Sequence, residues 1–349
     1  MHTQQEIQTQ YNRLPELLLP WYRANARDLP WRRTKEPYRV WVSEIMLQQT
    51  RVEAVRGYYD RFLTALPDIA SLSSASEETL LKLWEGLGYY SRVRNLQKAA
   101  KTIMLEHGGV FPQDYKSVRA LCGIGDYTAG AICSICFEQP RAAVDGNVLR
   151  IMARITEDFS PIDLQETKKK VAAYLENVYP AGECGTFTQS LMELGACVCT
   201  PRSPKCDVCP VKDFCFASKN GTQAELPVKL PKKEKRVEER TVYLLECDGA
   251  FAIEKRGEKG LLSGLWQFPN TLGRRTPDAA LQAAEALGVQ PTELCREVHK
   301  IHIFTHIRWE MTGYHIRCRV KDNSFTWATP ETLRTTYALP TAFRIFLDE

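Results

Sequence analysis

The chain has 349 residues, 44% hydrophobic and 25% charged, with a formal net charge of +4. This composition excludes a disordered or collagen-like chain, and the length predicts at least two domains. The slight basicity permits nucleic-acid binding without arguing for it.

Residues 1–217 read as helices, short amphipathic stretches alternating with Pro or Gly stops. The pattern predicts one helix over 38–66, ending before Pro67, and another over 91–107, stopped by Gly108-Gly109. Within 126–136, Ala129, Ile132, Cys133 and Cys136 fall on one helical face. No stretch is long and apolar enough to span a bilayer, so no membrane association is expected. Residues 226–240 are charged and marked by Pro227 and Pro231, and read as a linker. Its cations Lys232, Lys233, Lys235 and Arg236 are weak candidates for phosphate contact, against the plainer reading of a solvated spacer. Beyond it, strand signals take over. Residues 241–247 and 250–254 flank Asp248-Gly249, a strong hairpin turn. Two more β-branched runs lie within 297–320, and 277–287 reads as a helix. The predicted architecture is multidomain: an all-α region over 1–225, then an α+β domain over 241–349.

Twelve cysteines in a chain whose first residues carry no apolar leader core predict reduced thiols and an intracellular, cytoplasmic protein. Four of them, Cys199, Cys206, Cys209 and Cys215, follow a Cys-x6-Cys-x2-Cys-x5-Cys spacing inside one turn-rich loop. Soft thiolates select zinc or an iron–sulfur cluster. Structural zinc sites use paired Cys-x2-Cys knuckles, and only one pair occurs here, which favours a 4Fe-4S cluster.

Leu121-Cys-Gly-Ile-Gly-Asp126 separates two expected helices. Gly123 and Gly125 allow tight backbone geometry, and the amides beside the second helix start form a phosphate cradle. That is a helix–hairpin–helix pattern, which grips nucleic-acid backbone without reading bases. Two carboxylates stand out. Glu44 lies among apolar neighbours in Val40-Trp-Val-Ser-Glu-Ile-Met-Leu47. It is either on the polar face of a helix or a buried acid with a raised pKa. Asp145, in Ala143-Val-Asp-Gly-Asn147, is a helix N-cap, a role compatible with facing a cleft.

Together these residues resemble the adenine DNA glycosylases, the MutY family, over nearly the whole chain. The matching segments are Asp28-Leu-Pro-Trp-Arg32, the run from Pro37 to Thr50, Gly86-Leu-Gly-Tyr-Tyr90, Gly123-Ile-Gly-Asp-Tyr-Thr-Ala-Gly130, Val144-Asp-Gly-Asn-Val148 and the cysteine loop. The resemblance implies a helix–hairpin–helix glycosylase domain with a cluster loop, followed by a Nudix-like lesion-recognition domain. Within the helical region it implies a six-helix module over about 30–140 and a cluster module from the N-terminus and about 141–217. It makes Glu44 the acid that protonates adenine, Asp145 the stabiliser of the sugar cation, and Tyr127 a pocket hydrogen-bonding group. Arg27, Trp31, Leu47 and Gln189 would line the adenine pocket. Gln48, Gln49, Thr50, Leu87 and Tyr89, with Gly123 and Gly125, would contact DNA; Leu87 and Tyr89 could equally be core.

Relatives that cleave strands carry lysine at position 127, able to form a Schiff base; tyrosine cannot, so a monofunctional glycosylase is expected. Phe304-Thr-His306 matches the lesion-reading loop, with Thr305 where the family usually has serine. The helix after Gly264-Leu-Trp-Gln-Phe-Pro269 offers a single Glu, so pyrophosphohydrolase activity is not expected. The expected partner is double-stranded DNA with adenine opposite 8-oxoguanine, bound by a monomer. The rival readings are a related mismatch glycosylase for another base and a lesion-binding protein without catalysis.

Overall fold

The computed structural model describes residues 3–231 and 234–347. Lys232 and Lys233, two of the candidate phosphate contacts, lie outside the described residues. The chain divides into two units, Met1–Ala75 with Arg94–Pro231, and Ser76–Val93 with Lys232–Glu349.

Helices run in order α1 (Gln4–Asn12), α2 (Leu14–Asn25), α3 (Pro37–Leu47), α4 (Val52–Ala65), α5 (Ile69–Ser74) and α6 (Glu77–Leu83). They continue with α7 (Ser91–Glu106), α8 (Tyr115–Ala120), α9 (Asp126–Phe137), α10 (Gly146–Thr156), α11 (Gln165–Glu176), α12 (Cys184–Cys197) and α13 (Phe216–Asn220). The single helix expected over 38–66 is two. Gln49 takes a left-handed φ of 58° and Gln48 caps α3, so the chain turns before Arg51 caps α4. Such a φ is uncommon outside glycine, and it lifts residues 48–50 onto a loop. The stop at Gly108 and Gly109 is present: both have positive φ, and the Gly109 amide donates to Ile103 O.

In the first unit, α10 is buried from Val148 to Thr156 and packs Leu149, Ile151 and Met152 against Leu14, Phe187 and Leu194. Helix α9 is buried from Thr128 to Ile135, on more than the one face its spacing predicts. A helix that is apolar all round belongs in the centre of a bundle.

The second unit is built on a sheet of β1 (Arg236–Cys247), β2 (Ala250–Lys255), β3 (Trp266–Gln267), β4 (Asn270–Leu272), β5 (Pro291–Ile303), β6 (Ile307–Cys318) and β7 (Thr326–Ala328). The order is β3-β2-β1-β6-β5, with β4 on β1 and β7 on β2. The β1–β2 turn uses left-handed Asp248 and Gly249, as the hairpin signal predicts. Strand β1 begins at Arg236, inside the 226–240 stretch, because the parallel partner β6 pairs from Ile307 upward. Alternation along β1 fills two cores. Val242 and Leu244 face Trp309 and Phe343, near α15 (Pro330–Thr335) and α16 (Thr341–Arg344); Tyr243 and Leu245 face Ala280 and Ala284 of α14 (Pro277–Ala286). No helix among the described residues is long and apolar enough to cross a membrane.

Candidate active site

Helix α3 starts cleanly. Glu36 accepts from the Tyr38 and Arg39 amides, and Pro37 occupies the first turn. Two turns on, this helix carries Glu44 into the interior, where the residue is 5% exposed. Tyr127, in the first turn of α9, donates its hydroxyl to Glu44 Oε2 at 2.8 Å. Burial raises the Glu44 carboxyl to about 7; the Tyr127 hydrogen bond pulls it down, and the nearby Asp145 charge pushes it up. Burial, with the charges of Glu44 and Asp145, raises Tyr127 so that it stays protonated and donates.

Asp145 caps α10. Its Oδ1 accepts from the Asn147 amide at 2.9 Å and the Val148 amide at 2.8 Å, and its Oδ2 accepts from Asn147 Nδ2 at 2.8 Å. Burial raises this carboxyl, and the bonds from Val148 and Asn147 oppose the rise. A cap fixes the carboxylate without occupying all its lone pairs, so it can still face a cation. What allows α9 to approach the segment before Asp145 is Gly130. A Cβ there would run into the Ala142 carbonyl, 2.8 Å from its carbon and 3.1 Å from Ala143 N.

Arg27, a predicted pocket residue, meets a buried carboxylate that sequence reasoning missed. Glu193 of α12, wholly buried, accepts from Arg27 Nε and Nη2, both at 2.8 Å, and from Arg32 Nη2 at 2.7 Å. Burial alone would raise Glu193, but those bonds win and hold it at about 2. One turn earlier, Gln189 accepts from the Tyr22 hydroxyl at 2.6 Å, and Arg32 lies over the Tyr22 ring. Trp31 is buried edge-on against Tyr59. Leu47 ends α3, three residues beyond Glu44. The visible signal for Glu193 was a lone acid in an apolar run, Leu191-Met-Glu-Leu194.

The hairpin is formed as its sequence predicts. Gly123 has φ 80° and lies so close to Asn95 that a Cβ would sit 2.7 Å from the Asn95 Cβ. Gly125 caps α9 with no side chain, leaving first-turn amides for an anion. Gln48 Nε2 reaches Thr128 Oγ1 at 3.4 Å, linking the 48–50 turn to α9.

In the second unit, Tyr89 and the 304–306 loop come together. The Tyr89 and Thr305 hydroxyls lie 2.9 Å apart, and Phe304 packs edge-on against Trp309. Tyr89 is 45% exposed and Thr305 and His306 are exposed too, whereas Leu87 is 6% exposed.

The four cysteines ring one cavity that Arg154, Leu194 and Val198 also line. Among the described residues, no three His, Cys, Asp or Glu side chains converge tightly enough for a single metal ion. Four thiolates around one cavity are the donor set that an iron–sulfur cluster takes. Burial raises the Cys209 thiol to about 12 and that of Cys215 to about 11, so both need a bound cation to ionise. The loop is held by two arginines of α10. Arg154 reaches Cys199 Sγ at 3.4 Å, Thr200 O at 2.8 Å and Pro201 O at 3.0 Å. Arg150 donates to Cys199 O at 2.8 Å and to Asn147 Oδ1 at 2.9 Å, so a chain of bonds runs from the loop to Asp145.

A buried acid, a capped carboxylate, a glycine hairpin and a thiol loop define a base-excision DNA repair protein of the helix–hairpin–helix class. Residues 42–181 match the HhH-GPD superfamily of base excision DNA repair proteins, residues 199–215 the iron-sulfur binding domain of endonuclease III, and residues 240–349 the NUDIX domain. The cofactor is a 4Fe-4S cluster.

The chain belongs to the adenine DNA glycosylase family. It is 34% identical to the Rattus norvegicus adenine DNA glycosylase, over 94% of this chain and 77% of that one. With that of Buchnera aphidicola subsp. Schizaphis graminum it shares 35% identity over 83% and 82%. With that of Arabidopsis thaliana it shares 37% over 83% of this chain, which is 55% of the relative's length. Among solved structures, a thermostable thymine-DNA glycosylase matches with a TM-score of 0.56 at 27% identity, over 61% of this chain and 98% of that one. A non-covalent endonuclease III–DNA complex matches at 0.53 and 22% identity, over 64% and 100%, a likeness of fold alone.

Proposed function

We propose that this chain removes adenine mispaired with 8-oxoguanine from duplex DNA, by hydrolysis of the N-glycosidic bond, and leaves an abasic site. The observation that carries the reading is Glu44, a buried carboxyl near pH 7 held by Tyr127. Such a group still carries its proton at neutrality and can donate it.

Base chemistry requires the adenine out of the stack. Glu44 gives its proton to N7, the C1′–N9 bond breaks, and its electron pair leaves with the base. Asp145 steadies the sugar cation, as counter-charge or transient nucleophile, and water then adds at C1′ while its proton passes to a carboxylate. Arg27, Trp31, Leu47 and Gln189 form the base pocket. The hairpin amides near Gly123 and Gly125, with Gln48, Gln49 and Thr50, hold the backbone. Cys199, Cys206, Cys209 and Cys215 hold the cluster, which supplies order to the loop rather than a reaction step. Tyr89 with Phe304, Thr305 and His306 reads the opposite base, while Leu87, 6% exposed, packs in the interior, the core role its sequence context also allowed, rather than serving as a wedge. Thr305 keeps the hydroxyl needed for a hydrogen bond, with a methyl that restricts its rotamer.

The deciding experiment is a single-turnover assay on a panel of mismatched duplexes. Adenine opposite 8-oxoguanine should be released fastest, with no borohydride-trapped covalent product, since Tyr127 has no amine. Preference for thymine opposite guanine, or no release at all, would refute the reading.

A further inference from the structure

The segment Ser76–Val93 carries two features that the reaction does not use: a lysine and a glutamate turned toward the C-terminal domain of the same unit. Lys82, in the last turn of α6, donates to the Arg334 carbonyl at 2.6 Å and the Tyr337 carbonyl at 3.1 Å. It also pairs with Glu85 at 2.6 Å, and Glu85 accepts from the Leu339 amide at 3.0 Å. These partners lie more than 250 positions apart in sequence. The two carbonyl partners, of Arg334 and Tyr337, flank the end of α15, where orphan carbonyls favour a cation.

Leu339 is wholly buried in the core that holds Trp309, and Phe304 packs on Trp309. The segment therefore touches the domain twice. Lys82 and Glu85 grip residues 334–339, and Tyr89 meets Thr305 at 2.9 Å. Between the grips, Arg92 donates to the Leu87 and Gly88 carbonyls, and Trp84 Nε1 donates to Gly88 O, so the Gly86–Tyr90 turn is braced from within.

We infer that Lys82 and Glu85 are positioning residues for lesion reading: their clasp sets where Thr305 stands relative to Tyr89. The inference rests on the reading of Thr305 and Tyr89 as contacts to the base opposite adenine. The Tyr89–Thr305 contact joins two exposed hydroxyls and is weak alone. The clasp is charge-assisted and half-buried, the stronger kind of bond. It holds the register that the weak contact needs.

The test is the ratio of single-turnover adenine release opposite 8-oxoguanine to release opposite guanine. Glu85→Ala and Lys82→Met should each lower that ratio about tenfold, the equivalent of ~1.4 kcal/mol, while release opposite guanine stays within about twofold of wild type. Lys82→Arg should restore most of the preference. In a Thr305→Ala background, Glu85→Ala should lower the ratio little further, because both changes remove one arrangement. If a variant folds poorly, Glu85→Gln gives the milder form, keeping the acceptor for Leu339 while losing the ion pair. An equal loss on both duplexes, or fully additive effects with Thr305→Ala, overturns the clasp and leaves the proposed function standing. A wild-type ratio of one overturns the lesion reading itself, and the clasp with it.

Discussion

At the scale of single residues, Glu44 carries a cost that its chemistry explains. Its folded pKa, about 7, lies above the ordinary carboxylate value of 4.5. The folded protein thus binds that proton more tightly than the unfolded chain does. Stability from this group is full below about pH 4.5 and is lost as pH rises through 7. Glu44→Gln removes the ionisation and retains an acceptor for Tyr127. The variant should therefore be more stable than wild type at pH 8 by an amount approaching about 3 kcal/mol, seen as a higher melting temperature, and no more stable at pH 4. Adenine release should fall by about 10² to 10⁴-fold. Thermal melts at the two pH values, beside single-turnover rates, check both halves. Equal stability at pH 8 would mean that folding does not raise the Glu44 pKa. Wild-type release should itself decline as pH rises past about 7, as the acid loses its proton. The apolar neighbours of Glu44 made this legible from sequence, and so did the N-cap pattern at Asp145. Glu193 was not legible as a site residue, because its partners Arg27 and Arg32 come from the segment between α2 and α3, over 160 positions away.

At the scale of elements, α10 serves two sites at once. Its N-cap is Asp145, and its buried arginines organise the cysteine loop. Arg154 is 2% exposed; its removal would take a donor from the Thr200 and Pro201 carbonyls of the loop and strand the buried Leu226 carbonyl, at a cost of about 1–3 kcal/mol for that buried acceptor. Arg154→Met should lower iron content per chain, measured on purified protein; an unchanged iron content would rule out this role. The α9–Asp145 approach makes a second prediction. Gly130→Ala cannot fit against Ala142 without backbone movement, so it should cost about 1–3 kcal/mol or more and slow adenine release. Retained stability and rate would show that the approach has slack. Helix periodicity found most of these elements and the glycine stops. It missed the break at 48–51, because a left-handed Gln49 carries no compositional mark. It also missed the short strands β3, β4 and β7, two or three residues long, which are too brief to show alternation.

At the scale of the whole molecule, the change of character at 226–240 marks where helices give way to the sheet. It does not mark everything the sheet's unit contains. That unit takes in Ser76–Val93, held by Lys82, Glu85 and Tyr89. No local pattern could reveal this, since composition and periodicity report neighbours in sequence, and these partners are long-range. A consequence follows for a chain cut after Pro231. Cutting a linker between self-contained domains leaves each as it was. Here the cut would strip Lys82 of its Arg334 and Tyr337 acceptors and Glu85 of its Leu339 donor, weakening the hold on a seven-residue helix. Helices this short depend on packing for their stability. Backbone amides of α6 and the Gly86–Tyr90 turn should therefore exchange hydrogen faster in the truncated chain, by about tenfold or more if bonds worth ~1.5 kcal/mol are lost. Amides of α9 and α10, whose partners all remain, should exchange as before. Hydrogen exchange read by mass spectrometry on the two chains separates these outcomes. Equal protection of α6 in both would show that Ser76–Val93 stands on its own.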